Sequence, residues 1–226
     1  TLSADLGDAD PSSLNAASVA QILEGSIGWF ASPLLEGDYP AQIEAQMRTR
    51  AGDRVQVFTA EEQAMLRGSV DFFGIWHHCC QVMPADVSPA KAPTGSCEPH
   101  SRQSESGIHP SWSLRQTLLW MQGRYQPRGG LYVIGPGFDS RELSPEGAQN
   151  DLDRVQFLHS QLEAVHSAIQ LGANIRGYFA WTLLDGFEWQ HGYSVRSGLV
   201  HVDFTTQERT LKQSALWLAH VVEHNA

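Results

Sequence analysis

The residues best equipped for chemistry lie in one stretch, Gly177-Tyr178-Phe179-Ala180-Trp181-Thr182-Leu183-Leu184-Asp185-Gly186-Phe187-Glu188-Trp189. Two indoles, Trp181 and Trp189, stand close to two carboxylates, Asp185 and Glu188. Indole faces stack on the C–H surface of a pyranose, and a carboxylate accepts hydrogen bonds from hydroxyls, so this composition suits a sugar. Composition alone supports equally a strand with core aromatics. The first half, apolar with Gly, Tyr and Phe, predicts a strand that Asp185-Gly186 ends in a loop.

The elements needed to position that loop can be read from the rest of the chain. Its 226 residues, 42% hydrophobic and 18% charged, suffice for one domain with a sizeable core. The net charge of −10 argues against nucleic acid and suits a neutral ligand such as a sugar. No apolar run approaches the ~18 residues of a membrane span. The chain starts at Thr1 without Met and shows no signal peptide, and is expected to be a piece of something longer. Cys79, Cys80 and Cys97 form an odd set with no C-x-x-C spacing. Free thiols are expected, with a disulfide from the adjacent pair to Cys97 as the alternative. His77-His78 sit on a predicted strand, where neighbours point to opposite faces, so no shared metal is expected. No cofactor is implied.

Thr1 to Ala4 reads as a strand tail, and Ser12-Ser13 as the cap of a helix through Ala16, Val19, Ile22 and Leu23. Gly28 to Pro40 reads as a loop and turn, and Ala41 to Met47 as a short helix. Thr59 with Glu62 forms a capping box for the next helix, with Phe58 stapling its entry. A strand is predicted toward Ile75, and Pro84 to Pro110 is a long polar loop. Trp112 to Tyr125 is a helix with Leu114, Leu118, Met121 and Tyr125 on one face, followed by the strand Leu131 to Ile134. A long helix from Asp151 places Val155, Leu158, Leu162, Val165 and Ile169 at helical spacing, and Gly172 ends it. Ser214 to Val222 is the last helix, with Leu216, Leu218, Ala219 and Val222 available for packing.

Beyond Trp189 the chain continues through Gly192-Tyr193, Arg196-Ser197-Gly198-Leu199 and Val202-Asp203-Phe204. The whole run resembles the C-terminal signature of glycoside hydrolase family 1, GYFAWSLLDNFEW followed by GY, R-x-GL and VDF. Gly28 to Pro40 is similar to the family's GWFxDPxxxGDYP, which follows its fifth strand, Gly68 to Ile75 to GSxDFFGLN, and Asp151 to Val155 to its D-x-x-R-I/V helix start. The resemblance implies an α/β fold, the (β/α)8 barrel. Residues 1–226 would be the C-terminal half of a single barrel domain, about the last four βα units, strands 5 to 8. It implies that Trp181 is the sugar platform and that Glu188 and Trp189 hold the far hydroxyls of the non-reducing sugar.

The same resemblance exposes departures at the chemical residues. Leu131-Tyr132-Val133-Ile134-Gly135-Pro136-Gly137 matches the family's IYITENG, whose Glu is the catalytic nucleophile, so that position holds Gly135. Asp139 and Glu142 lie four or more positions downstream, and a strand rises ~3.3 Å per residue, against a tolerance under ~1 Å for reacting groups. The tyrosine that partners the nucleophile is replaced by His78, and the preceding asparagine by Trp76. The acid/base motif T-x-N-E-P is absent; Glu98-Pro99 is not a match, and the motif is expected in a segment before Thr1.

Taken together, these features resemble the non-hydrolysing family 1 modules of the klotho and lactase type, which bind a glycan or a protein partner. A β-linked saccharide is the expected ligand, and the exposed half-barrel edges imply a missing N-terminal half or self-association. The alternative is an active retaining β-glycosidase completed by that half. By analogy with such relatives the protein would be extracellular or membrane-anchored.

Overall fold

The computed structural model describes residues 16–77, 111–140 and 145–225. The expected strand at Thr1 to Ala4, the Ser12-Ser13 cap, His78, the three cysteines, Glu98-Pro99 and Glu142 lie outside these residues.

Three parallel strands make the central sheet, β1 (Phe73–Ile75), β2 (Leu131–Gly137) and β3 (Ile175–Trp181), side by side in that order. Parallel neighbours require a crossover, and helices supply it: α5 (Ser111–Tyr125) precedes β2, and α7 (Leu152–Gln170) joins β2 to β3. α5 and α7 pack on one face of the sheet. Leu114, Leu118 and Met121 of α5 meet Leu131 and Val133 of β2, Ile75 of β1 and Ala164, Val165 and Ala168 of α7, all buried in one cluster.

The N-terminal helices lie against this core. α1 (Ala16–Leu23) runs through a π-helical turn, Glu24–Gly28, into α2 (Trp29–Glu36). This corrects the reading of Gly28 to Pro40 as a loop. Trp29 to Glu36 is helical although Pro33 sits inside it, because Gly37, at φ 94°, caps the end by donating to the Ser32 and Pro33 carbonyls. Only Gly37 to Pro40 turns. Trp29, Tyr39 and Phe58 then stack in series, with ring centroids 4.9 and 4.7 Å apart. Arg124 of α5 pairs with Glu24 at 2.7 Å and with Glu36, tying both ends of this bent helix to the core. α3 (Ala41–Ala51) is longer than predicted. α4 (Ala60–Leu66) begins at the predicted capping box, where Thr59 and Glu62 satisfy each other's backbone N–H.

α7 buries Arg154, Phe157, Leu158, Gln161, Ala164, Val165 and Ala168. The predicted apolar face is therefore rotated: Ile169 is 44% exposed, and Val155 and Leu162 are only half-buried. Arg154 and Gln161 are polar, so an apolar period could not reveal that they face inward. After a short α6 (Pro145–Gln149) and the hairpin β4 (Val200–Val202) with β5 (Arg209–Leu211), α8 (Gln213–His224) packs on α7. Here too the expectation is corrected. Leu216, Ala219 and Val222 are exposed and only Leu218 is half-buried, since Ser214 rather than an apolar side chain anchors the helix.

Leu118→Ala, at a site with no exposure, should cost about 2–5 kcal/mol in urea denaturation of the full-length protein. Met65→Ala, on the solvent side of α4, should stay within about 0.5 kcal/mol.

Candidate functional site at the strand ends

Strand alternation sorts the sheet into two faces. Leu131 and Val133 enter the helix-side core, so Tyr132 and Ile134 face the other way; Ile75 enters the core, so Gly74 and Trp76 face with Ile134, whose side chain crowds Gly74. Phe179 and Trp181 of β3 are exposed on this second face. It is lined by Phe72, Tyr132 and Phe179, with rings 4.8 and 6.2 Å apart, and, toward the strand ends, by Trp76 and Trp181.

Trp181 is the last residue of β3, paired with Gly137 and 47% exposed, and the Trp181–Thr182 peptide is cis. A Cβ on Gly137 would stand 3.3 Å from the Trp181 ring, so the smallest residue leaves the indole its seat. The Trp76 indole lies beside it, centroids 6.4 Å apart and planes 30° apart.

Gly135 sits where β2 departs from its register. Ile134 pairs with Phe179 and Gly137 with Trp181, so one extra residue is fitted into β2 at this point. Gly135 takes φ +73°, and a Cβ there would stand 3.5 Å from the Trp76 indole nitrogen. Any L side chain would have to adopt a left-handed conformation that costs about 1–2 kcal/mol. Asp139, the nearest described carboxylate downstream, accepts a 2.6 Å hydrogen bond from Ser197 Oγ.

Glu188 and Trp189 are held on a separate turn. Glu188 N–H donates to the Gly192 carbonyl at 2.7 Å, and the Glu188 carbonyl accepts from His191 N–H at 2.8 Å. Trp189 takes φ 44° and is 77% exposed, while Glu188 is half-buried. The structure thus gathers Gly135, Trp76 and Trp181 at the sheet end, and presents Glu188 and Trp189 farther along the same loop. Phe187 packs edge-on to Tyr193, which in turn packs on Phe204, fixing the base of that loop.

Asp185, grouped with Glu188 on composition, does different work. It is buried, 3.0 Å from Lys212 Nζ, 3.4 Å from His201 Nδ1 and 3.7 Å from Arg196, and accepts from the Gly198 and Val202 N–H groups. Gly198 is required there, because a Cβ would run into the Asp185 backbone. Burial pushes both the Lys212 ammonium and the His201 imidazolium down, and Asp185 opposes this in each case.

Arg154 is buried as well. Its Nε pairs with Asp151 at 2.8 Å, and its two terminal nitrogens donate to the carbonyls of Phe138, Ser197 and Arg196 at 2.5–2.9 Å. Asp151 also accepts from Ser214 N–H and Oγ, joining α8 to the same network. Arg154 and Lys212 are positioning residues that the sequence did not reveal as such. Arg154 did stand in a recognised helix-start motif, whereas Lys212 carries no local signal.

With this geometry in view, the family can be stated. Residues 5–226 match the model of glycosyl hydrolase family 1, and the chain belongs to that family. It is 34% identical over 92% of its length to β-glucosidase 32 of Arabidopsis thaliana, of which the match covers 42%. Among solved structures it is similar to aphid myrosinase, with a TM-score of 0.78 and 26% identity over 98% of this chain and 51% of the other. It is likewise similar to a family 1 β-glucosidase from the fungus Humicola insolens in complex with glucose, with a TM-score of 0.73 and 31% identity over 97% of this chain and 48% of that one. The fold is therefore of the α/β TIM-barrel class, and the chain spans about half or less of the length of these proteins.

Removing Asp185 would leave Lys212 and Arg196 buried without their counter-ion. Asp185→Ala should cost about 3–5 kcal/mol, read as a lowered urea midpoint. The same truncation at exposed Glu223 should leave the midpoint unchanged.

Proposed function

We propose that this chain is a family 1 glycosidase-like module that holds a β-linked saccharide without forming a covalent bond to it. Residues 1–226 are the C-terminal half of one barrel, about strands 5 to 8, and act with the missing N-terminal half or a second copy. Trp181 is the sugar platform; Glu188 and Trp189 bind the hydroxyls at the non-reducing end.

The observation that carries the reading is Gly135. A retaining glycosidase needs two carboxyls ~5–5.5 Å apart, one of them the nucleophile. At the nucleophile's place the chain has no side chain, a left-handed backbone and an indole against it. Asp139 is engaged by Ser197. Loss of a covalent nucleophile removes several orders of magnitude of rate, while platform residues that only bind are untouched by it. Exposed Trp181 and Trp189 support retention of binding, as does the glucose complex of the fungal relative.

Calorimetric titration of the full-length protein with glucose, cellobiose and lactose tests this. Saturable heat is expected, and Glu188→Ala should weaken binding by roughly ten- to a hundredfold, the effect of one charge-assisted hydrogen bond of about 1.5–3 kcal/mol. No heat with any sugar would overturn the binding role and point to a protein partner instead.

A further inference from the structure

We infer that Trp76 is a second sugar-stacking ring, working with Trp181 to make a charge-free two-indole floor for the apolar face of a neutral pyranose. This rests on the sugar-binding reading above and adds a residue that the family resemblance does not assign to binding.

Trp76 follows β1 directly. Because Ile75 is buried in the helix-side core, Trp76 is directed to the opposite face of the sheet, the one that carries Phe179 and Trp181. Its ring is tilted 30° from that of Trp181 with centroids 6.4 Å apart, an offset-stacked rather than edge-on pair, and Trp76 itself is half-buried. The spacing is too tight for a sugar ring to slip between them, so a saccharide would lie across the parts of the two faces that the offset leaves uncovered on one side, as a stepped floor. Trp76 also reaches Gly135, where a Cβ would already be in van der Waals contact with the indole at 3.5 Å, so a long side chain such as Glu would compete with the ring for space.

The two departures thus exchange volume and polarity together. An amide and a carboxylate in the family pattern become an indole and a hydrogen here. A site with a carboxylate beneath the sugar favours developing positive charge at the anomeric centre. A site floored by two indoles favours the ground-state C–H surface of a neutral saccharide.

The test is titration of the full-length protein and its Trp76→Phe and Trp76→Leu variants with cellobiose and methyl β-glucoside, by calorimetry and by tryptophan fluorescence. Trp76→Phe keeps a ring and should bind within roughly threefold of wild type. Trp76→Leu keeps apolar volume without a ring and should bind roughly three- to tenfold more weakly, with its melt still cooperative. If Trp76→Leu binds as well as wild type while Glu188→Ala loses binding, the sugar-binding reading stands and the role of Trp76 is overturned. If wild type binds neither saccharide, both fall together.

Discussion

Two of the buried cations, Arg154 and Lys212, hold the region around the candidate site together. Arg154 leaves α7 and spends its fork of donors on the carbonyls of Phe138, Arg196 and Ser197, with Asp151 as counter-ion. Lys212 leaves the segment before α8 and meets Asp185 just past β3. Taking such charges out of water costs several kcal/mol each, and only saturated hydrogen bonding offsets it. What the arrangement supplies is position. The end of β2, the loop after β3, the hairpin and the start of α8 are all tied to these two side chains, directly or through Asp185 and Asp151. The orientation of Trp181 and the base of the Glu188 loop follow from that frame.

The candidate site combines this fixed rear with an open front. Backbone pairs from Thr182 to Ser197, Leu199 to Thr182, and Asp185 to Val200 continue the strand's hold on the loop for several residues beyond Trp181. Past Asp185 the chain is freed from the sheet and carries Phe187, Glu188 and Trp189 outward. A surface that recognises hydroxyls and C–H faces needs this division, with rings and acceptors exposed but their backbones fixed. The exposed second face of the sheet, with Phe72, Phe179 and Trp181, is more apolar than a free sheet face and suits the inward side of a barrel.

Much of this was legible in the sequence because it is written in local signals. The capping box at Thr59, the α5 face of Leu114, Leu118 and Met121, the glycine end of α7 and the family signature after Gly177 all appear where periodicity and motif place them. Other features were not legible, each for a physical reason. The helix from Trp29 to Glu36 is interrupted by Pro33 and entered through a π turn, so its punctuation mimics a loop. The inward face of α7 includes Arg154 and Gln161, which an apolar period skips. The work of Asp185 depends on Lys212, far along the chain, so composition paired it with Glu188 when its partners are cations. The register irregularity at Gly135 and the approach of Trp76 are tertiary facts with no local signature beyond the substitutions themselves.

The central claim is that no covalent glycosyl intermediate can form at the Gly135 position. Its most direct test is intact-mass measurement of the full-length protein after prolonged incubation with an activated 2-deoxy-2-fluoro β-glucoside, which traps a glycosylated carboxylate when a nucleophile is present. The account predicts an unchanged mass while cellobiose still binds. A single stoichiometric adduct, mapped by peptide analysis to a carboxylate near the end of β2 such as Asp139, would contradict it and establish a working nucleophile supplied from an unexpected position.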